Sequence, residues 1–348
     1  MRGWGEGAVG FGFSLYRRRF KRSLLTHHGL WSVREGILIR LVAPDGQVGW
    51  GEIAPLDWFG SETLAAALEF CRQLPEKITA GTIGAIPENL PACQFGFESA
   101  WEEIGSQELG AGSREPGVGS WESGVAEISR CRHVVASSLS HSTLLPTASA
   151  ALHAWQAHWE QGDRTFKWKI GVATIAEELG WFKQLMGALP AGAKLRLDAN
   201  GGLTEAEAIR WLTVCQGTNV EFLEQPLPRE QLTAMLALSE RFATPIALDE
   251  SVATLTQLQA CYNQGWRGVF VVKPAIAGSP ARLRQFCQQY RPDVVFSSVF
   301  ETEVGRSAAL RLAAELSFHN RAVGFGVGHW FEEAGVGGME WRHEEVMG

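Results

Sequence analysis

Apolar and polar positions follow two different rhythms along this chain. In GILIRLVAPDGQVGWGEIAP (36–55) they alternate with a period of two on both sides of Pro44-Asp45-Gly46, which predicts a two-stranded hairpin. ETLAAALEFCRQL and ACQFGFESAWEEIG carry helical spacing, with Ser61 placed to cap the first of them. Strands followed by helices predict an α+β unit over residues 1–105. Over 106–131 the composition turns to Gly, Ser and Glu (SQELGAGSREPGVGSWESG), a linker or long surface loop too polar to form a core. From 132 to 329 short apolar runs recur: HVVASSL, TFKWKIG, KLRLDAN, VEFLEQP, PIALDES, GVFVVKP, DVVFSSV and RAVGFGV. Helical stretches such as TEAEAIRWLTVCQ, REQLTAMLALSERF, TLTQLQACYNQG and SPARLRQFCQQY lie between most of them, the pattern of a (β/α)₈-type barrel. A doubly wound open sheet would carry a Gly-rich phosphate loop after its first strand, and the sequence has none.

The polar residues that end these runs form a series: Lys167 and Lys169, Asp198, Glu224, Asp249 and Lys273. From Lys169 onward the steps are 29, 26, 25 and 24 residues, each one β/α unit, so the series comes from successive strands at one height. In a barrel that height is the C-terminal mouth, where chemistry is held. Period-2 spacing sets Lys167 with Lys169, Arg196 with Asp198 and Phe222 with Glu224 on inward faces. Carboxylates gathered in a half-enclosed mouth must be paired or metal-bound. Oxygen donors without His or Cys suit Mg²⁺, with Mn²⁺ as a substitute, and lysines beside them are candidate bases. The plainer alternative is an internal salt-bridge network in an inactive barrel.

Composition narrows the partners. A net charge of −7 offers no footprint for nucleic acid, and the longest basic run, YRRRFKR at 16–22, reads as a solvated strand edge, with attraction of anionic ligands as the alternative. No apolar stretch reaches the ~18 residues of a membrane helix, and the first twenty residues lack the apolar core of a signal peptide. Six cysteines (71, 93, 131, 215, 261, 287) without metal or redox spacing read as reduced, buried thiols of a cytoplasmic protein.

Lys-x-Lys, then Asp, Glu and Asp on the next three strands, then Lys on the sixth, resembles the enolase superfamily, and more narrowly its muconate-lactonizing subgroup. GWGEIAPL (49–56), FGFESAW (95–101), FLEQPLP, LDES and VVKPAIAGS carry the resemblance over nearly the whole chain. It implies a modified TIM barrel, (β/α)7β, with an N-terminal α+β capping domain to which residues of about 330–348 return. Arg196, two residues before the first metal aspartate, and SSVFETEVG (297–305) bring the chain nearest to the o-succinylbenzoate synthase family of that subgroup. The long linker, the glycine-rich N-terminus and VGFGVGHW at the last strand depart from the family pattern.

The resemblance implies a lyase of menaquinone or phylloquinone biosynthesis. It would dehydrate a small anionic carboxylate, 2-succinyl-6-hydroxy-2,4-cyclohexadiene-1-carboxylate, in a syn elimination. Asp198, Glu224 and Asp249 are the implied metal ligands and Lys169 the implied base, with Lys167 lowering its pKa by like-charge repulsion. Lys273 takes the opposite face, stabilising the anionic intermediate. Expected substrate contacts are Arg196, which also serves Asp198 as charge partner, Asn200, which positions the lysine pair, and Ser297, Ser298, Gly324 and Gly326 at the succinyl carboxylate. LLTHHGLWSVR (24–34), with His27, His28 and Trp31, is the expected lid or else a surface loop; Glu301 reads equally as structural or functional, and His319 and His329 as structural.

Other activities stay open: N-acylamino acid racemase, dipeptide epimerase or muconate cycloisomerase within the superfamily, a class I aldolase using Lys273, or a non-catalytic binding barrel. Epimerase relatives carry Asp-x-Asp at the eighth strand, where this chain has Val323-Gly324-Phe325-Gly326-Val327. The assembly is expected to be a monomer or homodimer.

Overall fold

The computed structural model describes residues 7–26, 29–107, 139–326 and 331. Two sheets organise them. The first is antiparallel, in the order β3-β2-β1-β4, with β1 Val9–Thr26, β2 Gly29–Val42, β3 Val48–Ile53 and β4 Lys77–Ile78. The β2–β3 turn closes as the sequence predicts: Gly46 takes φ 87° and Gln47 N–H donates to Asp45 Oδ1 at 3.1 Å. Helices Leu64–Gln73 and Pro91–Gln107 follow. The first is capped by Thr63 rather than by Ser61, whose hydroxyl instead accepts from Leu56 N–H at 2.7 Å; the capping oxygen must sit immediately before the first helical residue, Leu64.

Alternation on β2 does not mean one wet face, for Ile37, Leu38 and Ile39 are all fully buried. Helix Pro91–Gln107 covers one side so closely that a Cβ at Gly49 or Gly51 would lie 2.0 Å from the carbonyl oxygens of Ala100 or Gly96. On the other side Leu38 packs with Tyr16, Trp50 and Val304, and Val304 belongs to the barrel.

The second sheet is the barrel: β5 Ser142–Leu144, β6 Thr165–Lys169, β7 Lys194–Asp198, β8 Val220–Glu224, β9 Ile246–Leu248, β10 Val269–Val272 and β11 Val294–Phe296, all parallel and in sequential order. His141 bridges Val323 and Ser297 bridges Gly324, so the eighth run closes the circle through a pair of residues. The fold is thus a (β/α)7β barrel with an antiparallel capping domain. The expected first strand, HVVASSL, lies outside the described residues except for Leu139, and the strand observed there is Ser142–Leu144. Capping boxes end three of the βα loops, where Thr174, Thr204 and Thr254 pair with Glu177, Glu207 and Gln257.

The capping domain is bolted to the barrel by acidic and amide side chains that cap barrel helices. Glu52 of β3 accepts from Thr302 N–H and Gly305 N–H, each at 2.9 Å, at the start of helix Glu303–Leu316. Gln94 and Glu98 accept from Ser279 N–H and Ala281 N–H, each at 3.1 Å, at the start of helix Pro280–Tyr290. Such groups meet both the orphan N–H donors and the positive end of the helix dipole.

YRRRFKR lies in β1 with Tyr16 and Phe20 buried and Arg17, Arg19 and Lys21 exposed, the solvated edge its alternation predicts. Cys71, Cys93, Cys215, Cys261 and Cys287 are buried free thiols; Cys131, the 108–131 part of the expected linker, His27, His28, His329 and, except for Phe331, the 330–348 return lie outside the described residues. Among the described residues no helix is long and apolar enough to cross a membrane.

Candidate active site at the barrel mouth

Strand register sets the height of each charged group. Lys169 pairs with Asp198 across β6–β7, and Asp198 with Glu224 across β7–β8. Glu224 pairs with Ala247 across β8–β9, so Asp249 stands two residues further toward the same end. Below them Phe222, Ala247, Val269, Val271 and Val295 pack together as an apolar plug. Asp198, Glu224 and Asp249 are 1%, 1% and 3% exposed.

Each carboxylate faces a lysine. Lys167 Nζ lies 2.9 Å from Asp198 Oδ2 and 2.7 Å from Glu224 Oε1, and Lys273 Nζ is bonded to Asp249 Oδ1. Lys273 also sits over the ring of Phe59 from the capping domain, 4.0 Å from its centroid. Lys169 Nζ donates to Asn200 Oδ1 at 2.9 Å. Asn200, in a left-handed conformation (φ 45°), in turn donates from Nδ2 to Glu250 Oε1 at 3.1 Å and from its backbone to Asp198 Oδ1 at 3.1 Å. Asn200 therefore meets Lys169 of the lysine pair, while Lys167 goes to the carboxylates.

The electrostatics are those of a pocket with surplus negative charge. Burial, then the neighbouring Asp198, pushes Glu224 up to about 7. Burial alone would raise Asp198, but Lys167 and Lys169 outweigh it and hold it below the usual aspartate range. Burial lowers Lys167, yet Asp198 and Glu224 together lift it well above the ordinary lysine value. Among the described residues no three His, Cys, Asp or Glu side chains converge as a ready metal cluster, because the carboxylates turn to the ammonium groups instead. The donor set still suits a divalent cation: three buried oxygen ligands from neighbouring strands, one of them pushed toward neutrality for want of positive charge.

Several expected substrate contacts are redirected. Arg196 is not the partner of Asp198; it is 1% exposed and its Nε donates to Glu221 Oε2 at 2.6 Å. Glu221 also takes Arg321 Nη1 at 2.9 Å, and Arg321 holds Asp293, which lies just before β11, so this network belongs to the far end of the barrel. Ser298 spends its single hydroxyl hydrogen on Glu301 Oε2 at 2.8 Å and has none left for a carboxylate. Gly324 N–H is committed to Phe296 O at 2.7 Å in closing the barrel. Ser297 remains half-buried at the mouth, and Gly324 makes room for it, since a Cβ there would lie 2.7 Å from Ser297 Oγ. Gly326 is half-buried beside Ser142. His319 is an exposed turn residue.

Residues 24–26 and 29–34 form the end of the β1–β2 ladder, with Leu24 opposite Trp31 and Leu25 opposite Leu30. Trp31 meets Phe20, Trp58 and Phe300 at 4.9, 5.8 and 5.4 Å between ring centroids, so this ladder leans on the barrel rim.

Gln225 was not singled out from sequence. Its fully buried side chain accepts from Asp249 N–H at 2.9 Å and Ser251 N–H at 3.2 Å, fixing one carboxylate strand end to the next. Its signal was a second polar residue inside the apolar run LEQPL. Glu250, the neighbour of Asp249, carried a similar signal; Phe59 carried none, being far from Lys273 in sequence.

Comparison with known proteins agrees with this geometry. The family described as MenC, N-terminal domain, matches residues 7–104, and the enolase C-terminal domain-like family matches residues 150–346. An o-succinylbenzoate synthase of Thermosynechococcus vestitus is 40% identical over 321 residues, 91% of this chain and 92% of its own. The crystal structure of o-succinylbenzoate synthase from Thermosynechococcus elongatus BP-1, complexed with Mg in the active site, superposes with a TM-score of 0.80 at 38% identity, covering 94% of this chain and 95% of that one. The L-Ala-D/L-Glu epimerase of Bacillus subtilis superposes with a TM-score of 0.70 at 20% identity over 94% of this chain and 92% of its own, which shares the fold alone.

Proposed function

This chain belongs to the o-succinylbenzoate synthase family of the enolase superfamily, and we propose that it dehydrates 2-succinyl-6-hydroxy-2,4-cyclohexadiene-1-carboxylate to 2-succinylbenzoate. It is a lyase of menaquinone or phylloquinone biosynthesis. The observation that best supports the assignment of roles is the meeting of Lys167, Lys169, Asp198, Glu224, Asp249 and Lys273 at one end of the barrel.

Asp198, Glu224 and Asp249 would hold Mg²⁺, with Mn²⁺ as a substitute, and such an ion would supply positive charge to the substrate carboxylate. Lys169 takes the proton α to that carboxylate. The same nitrogen then returns this proton to the departing hydroxyl on the same face, so that water leaves and the base is restored. Asn200 Oδ1 aims Lys169, and Lys167 bridges Asp198 and Glu224. Lys273, steadied over Phe59, faces the developing anion from the other side. Ser297 and the backbone at Gly326 take the succinyl carboxylate. The place of work is the cytoplasm, a reading supported by the buried free thiols.

The test is formation of 2-succinylbenzoate from the cyclohexadiene acid with Mg²⁺ and with excess chelator. Turnover that is lost on chelation and restored by Mg²⁺ is expected; no turnover under any metal condition would refute the reading.

A further inference from the structure

The turn that follows β11 is held by one buried carboxylate with no part in the mechanism above. Val272 pairs with Phe296, so Ser297 stands level with Lys273 at the mouth. The chain then has to turn and enter helix Glu303–Leu316 within a few residues, and it does so through Phe300 in a left-handed conformation, φ 61°. A non-glycine residue keeps that conformation only where its surroundings impose it. Here Glu301 Oε2 accepts from Ser298 Oγ at 2.8 Å and from Val299 N–H at 2.7 Å, while Ser298 Oγ accepts from Phe300 N–H at 2.8 Å. A single carboxylate oxygen thus organises three successive residues. The ring of Phe300, so placed, packs edge-on against Phe20 and Trp31, each at 5.4 Å, and joins the β1–β2 ladder to the rim.

We propose that Glu301 is a positioning residue for the reaction: lodged between the two domains, it fixes Ser298 and the Phe300 turn, and through them the rim beside Lys273 and Ser297.

The setting makes this support sensitive to pH. Glu301 is 4% exposed, and its Oε1 has no hydrogen-bond partner. Its charged neighbour is Glu52 of β3, and the two crowd around Gly305, where a Cβ would lie 2.8 Å from Glu52 Oε2 and 3.2 Å from Glu301 Cβ. Glu52 holds the donors: Tyr16 OH at 2.5 Å, Thr302 and Gly305 N–H. Around it stand Tyr16 and Arg18 of β1, with Arg34 of β2 acting on Tyr16 and Glu303 on Arg18. Two carboxylates in one dry place do not both ionise readily. Burial first, and then Glu52, lifts Glu301 to about 7. Ionisation sets the unpaired Oε1 charge against Glu52, and that repulsion works against the bonds from Ser298 and Val299, which a charged carboxylate would otherwise strengthen.

The proposal rests on the lyase reading for its kinetic measurement, and a second measurement frees it from that reading. Steady-state kinetics at saturating Mg²⁺ across pH 5.5–9 compare the parent with Glu301→Gln and Glu301→Ala. The parent's KM is expected to rise several-fold through about pH 7. Glutamine keeps the accepting oxygen and cannot ionise, so its KM stays low and flat. Alanine raises KM about tenfold at every pH with kcat changed less than about threefold, the split expected of lost rim positioning. Amide hydrogen exchange at Val299 and Phe300 accelerates in the alanine variant and not in the glutamine variant, with or without turnover. A glutamine variant that follows the parent's pH profile, or an alanine variant with unchanged KM and unchanged exchange, overturns the proposal. A parent that shows no dehydration while the exchange contrast holds refutes the lyase reading alone.

Discussion

Lys169 Nζ and Asn200 Oδ1 lie 2.9 Å apart, and this bond joins the end of one barrel strand to the turn after the next. The turn residue is itself tied to Asp198 and Glu250, so the amine is aimed by a side chain that cannot rotate freely. Asn200→Ala should therefore lower kcat by about tenfold with little effect on KM. Lys169→Ala should cost the ~10²–10⁴-fold typical of lost general acid–base catalysis. Stopped-flow measurement of both variants decides it, and a Lys169→Ala enzyme within threefold of the parent removes this residue from the mechanism.

Asp249→Asn keeps the shape of the third carboxylate and removes its charge. Mg²⁺ affinity, read as stabilisation against heat as the ion is titrated in, should fall by at least about tenfold, and activity should fall with it. The circular dichroism of the variant should match the parent. Full activity in excess chelator would contradict the metal assignment whatever the variant does.

Glu52 caps a barrel helix from the other domain, and its loss strands buried donors. Glu52→Ala should destabilise the protein by on the order of 3 kcal/mol or more, since a lost helix cap costs about 1–2 and an unpaired buried donor about 1–3 kcal/mol. Glu52→Gln, which keeps an accepting oxygen, should cost roughly half as much. Urea unfolding measures both, and an alanine variant as stable as the parent would show that the latch contributes nothing.

Stability should depend on pH through Glu301. Its folded value, about 7, lies above the ordinary 4.5, so between those values the folded protein holds a proton that the unfolded chain has released. That contribution is complete below pH 4.5, is lost as pH rises to about 7, and changes no further above it. At about 1.4 kcal/mol per pH unit, the loss is of order 3 kcal/mol. Glu301→Gln should flatten this part of the profile measured by urea unfolding; a variant with the parent's slope would contradict the assignment.

Dipeptide epimerization should be negligible. The eighth run reads Val323-Gly324-Phe325-Gly326, with no carboxylate for a substrate ammonium group, and a buried ammonium without an acidic partner binds poorly. Incubation with L-Ala-L-Glu in D₂O should show no α-deuterium by NMR. Rapid exchange there, without dehydration of the cyclohexadiene acid, would place the chain among the epimerases.

Periodicity and spacing in the sequence were enough to read the barrel, the capping hairpin and the height of the six charged strand ends. A strand exposes alternate residues and a β/α unit has a nearly constant length, so both features are written locally. They could not reveal where a long side chain finds its partner. Arg196 and Asp198 share a strand face, yet the arginine reaches Glu221 while Lys167, from another strand, takes the aspartate, because the closed barrel brings those charges nearest. Ser298 looked like a substrate contact until the turn after β11 gave its hydrogen to Glu301. Gln225, Phe59 and the Glu52 latch depend on segments joined only by folding, and Leu38 is buried because a second domain covers what alternation alone would leave wet. Sequence fixes which groups stand at the mouth; packing of the two domains decides which of them face one another, since burial forces every charge to find its nearest available partner.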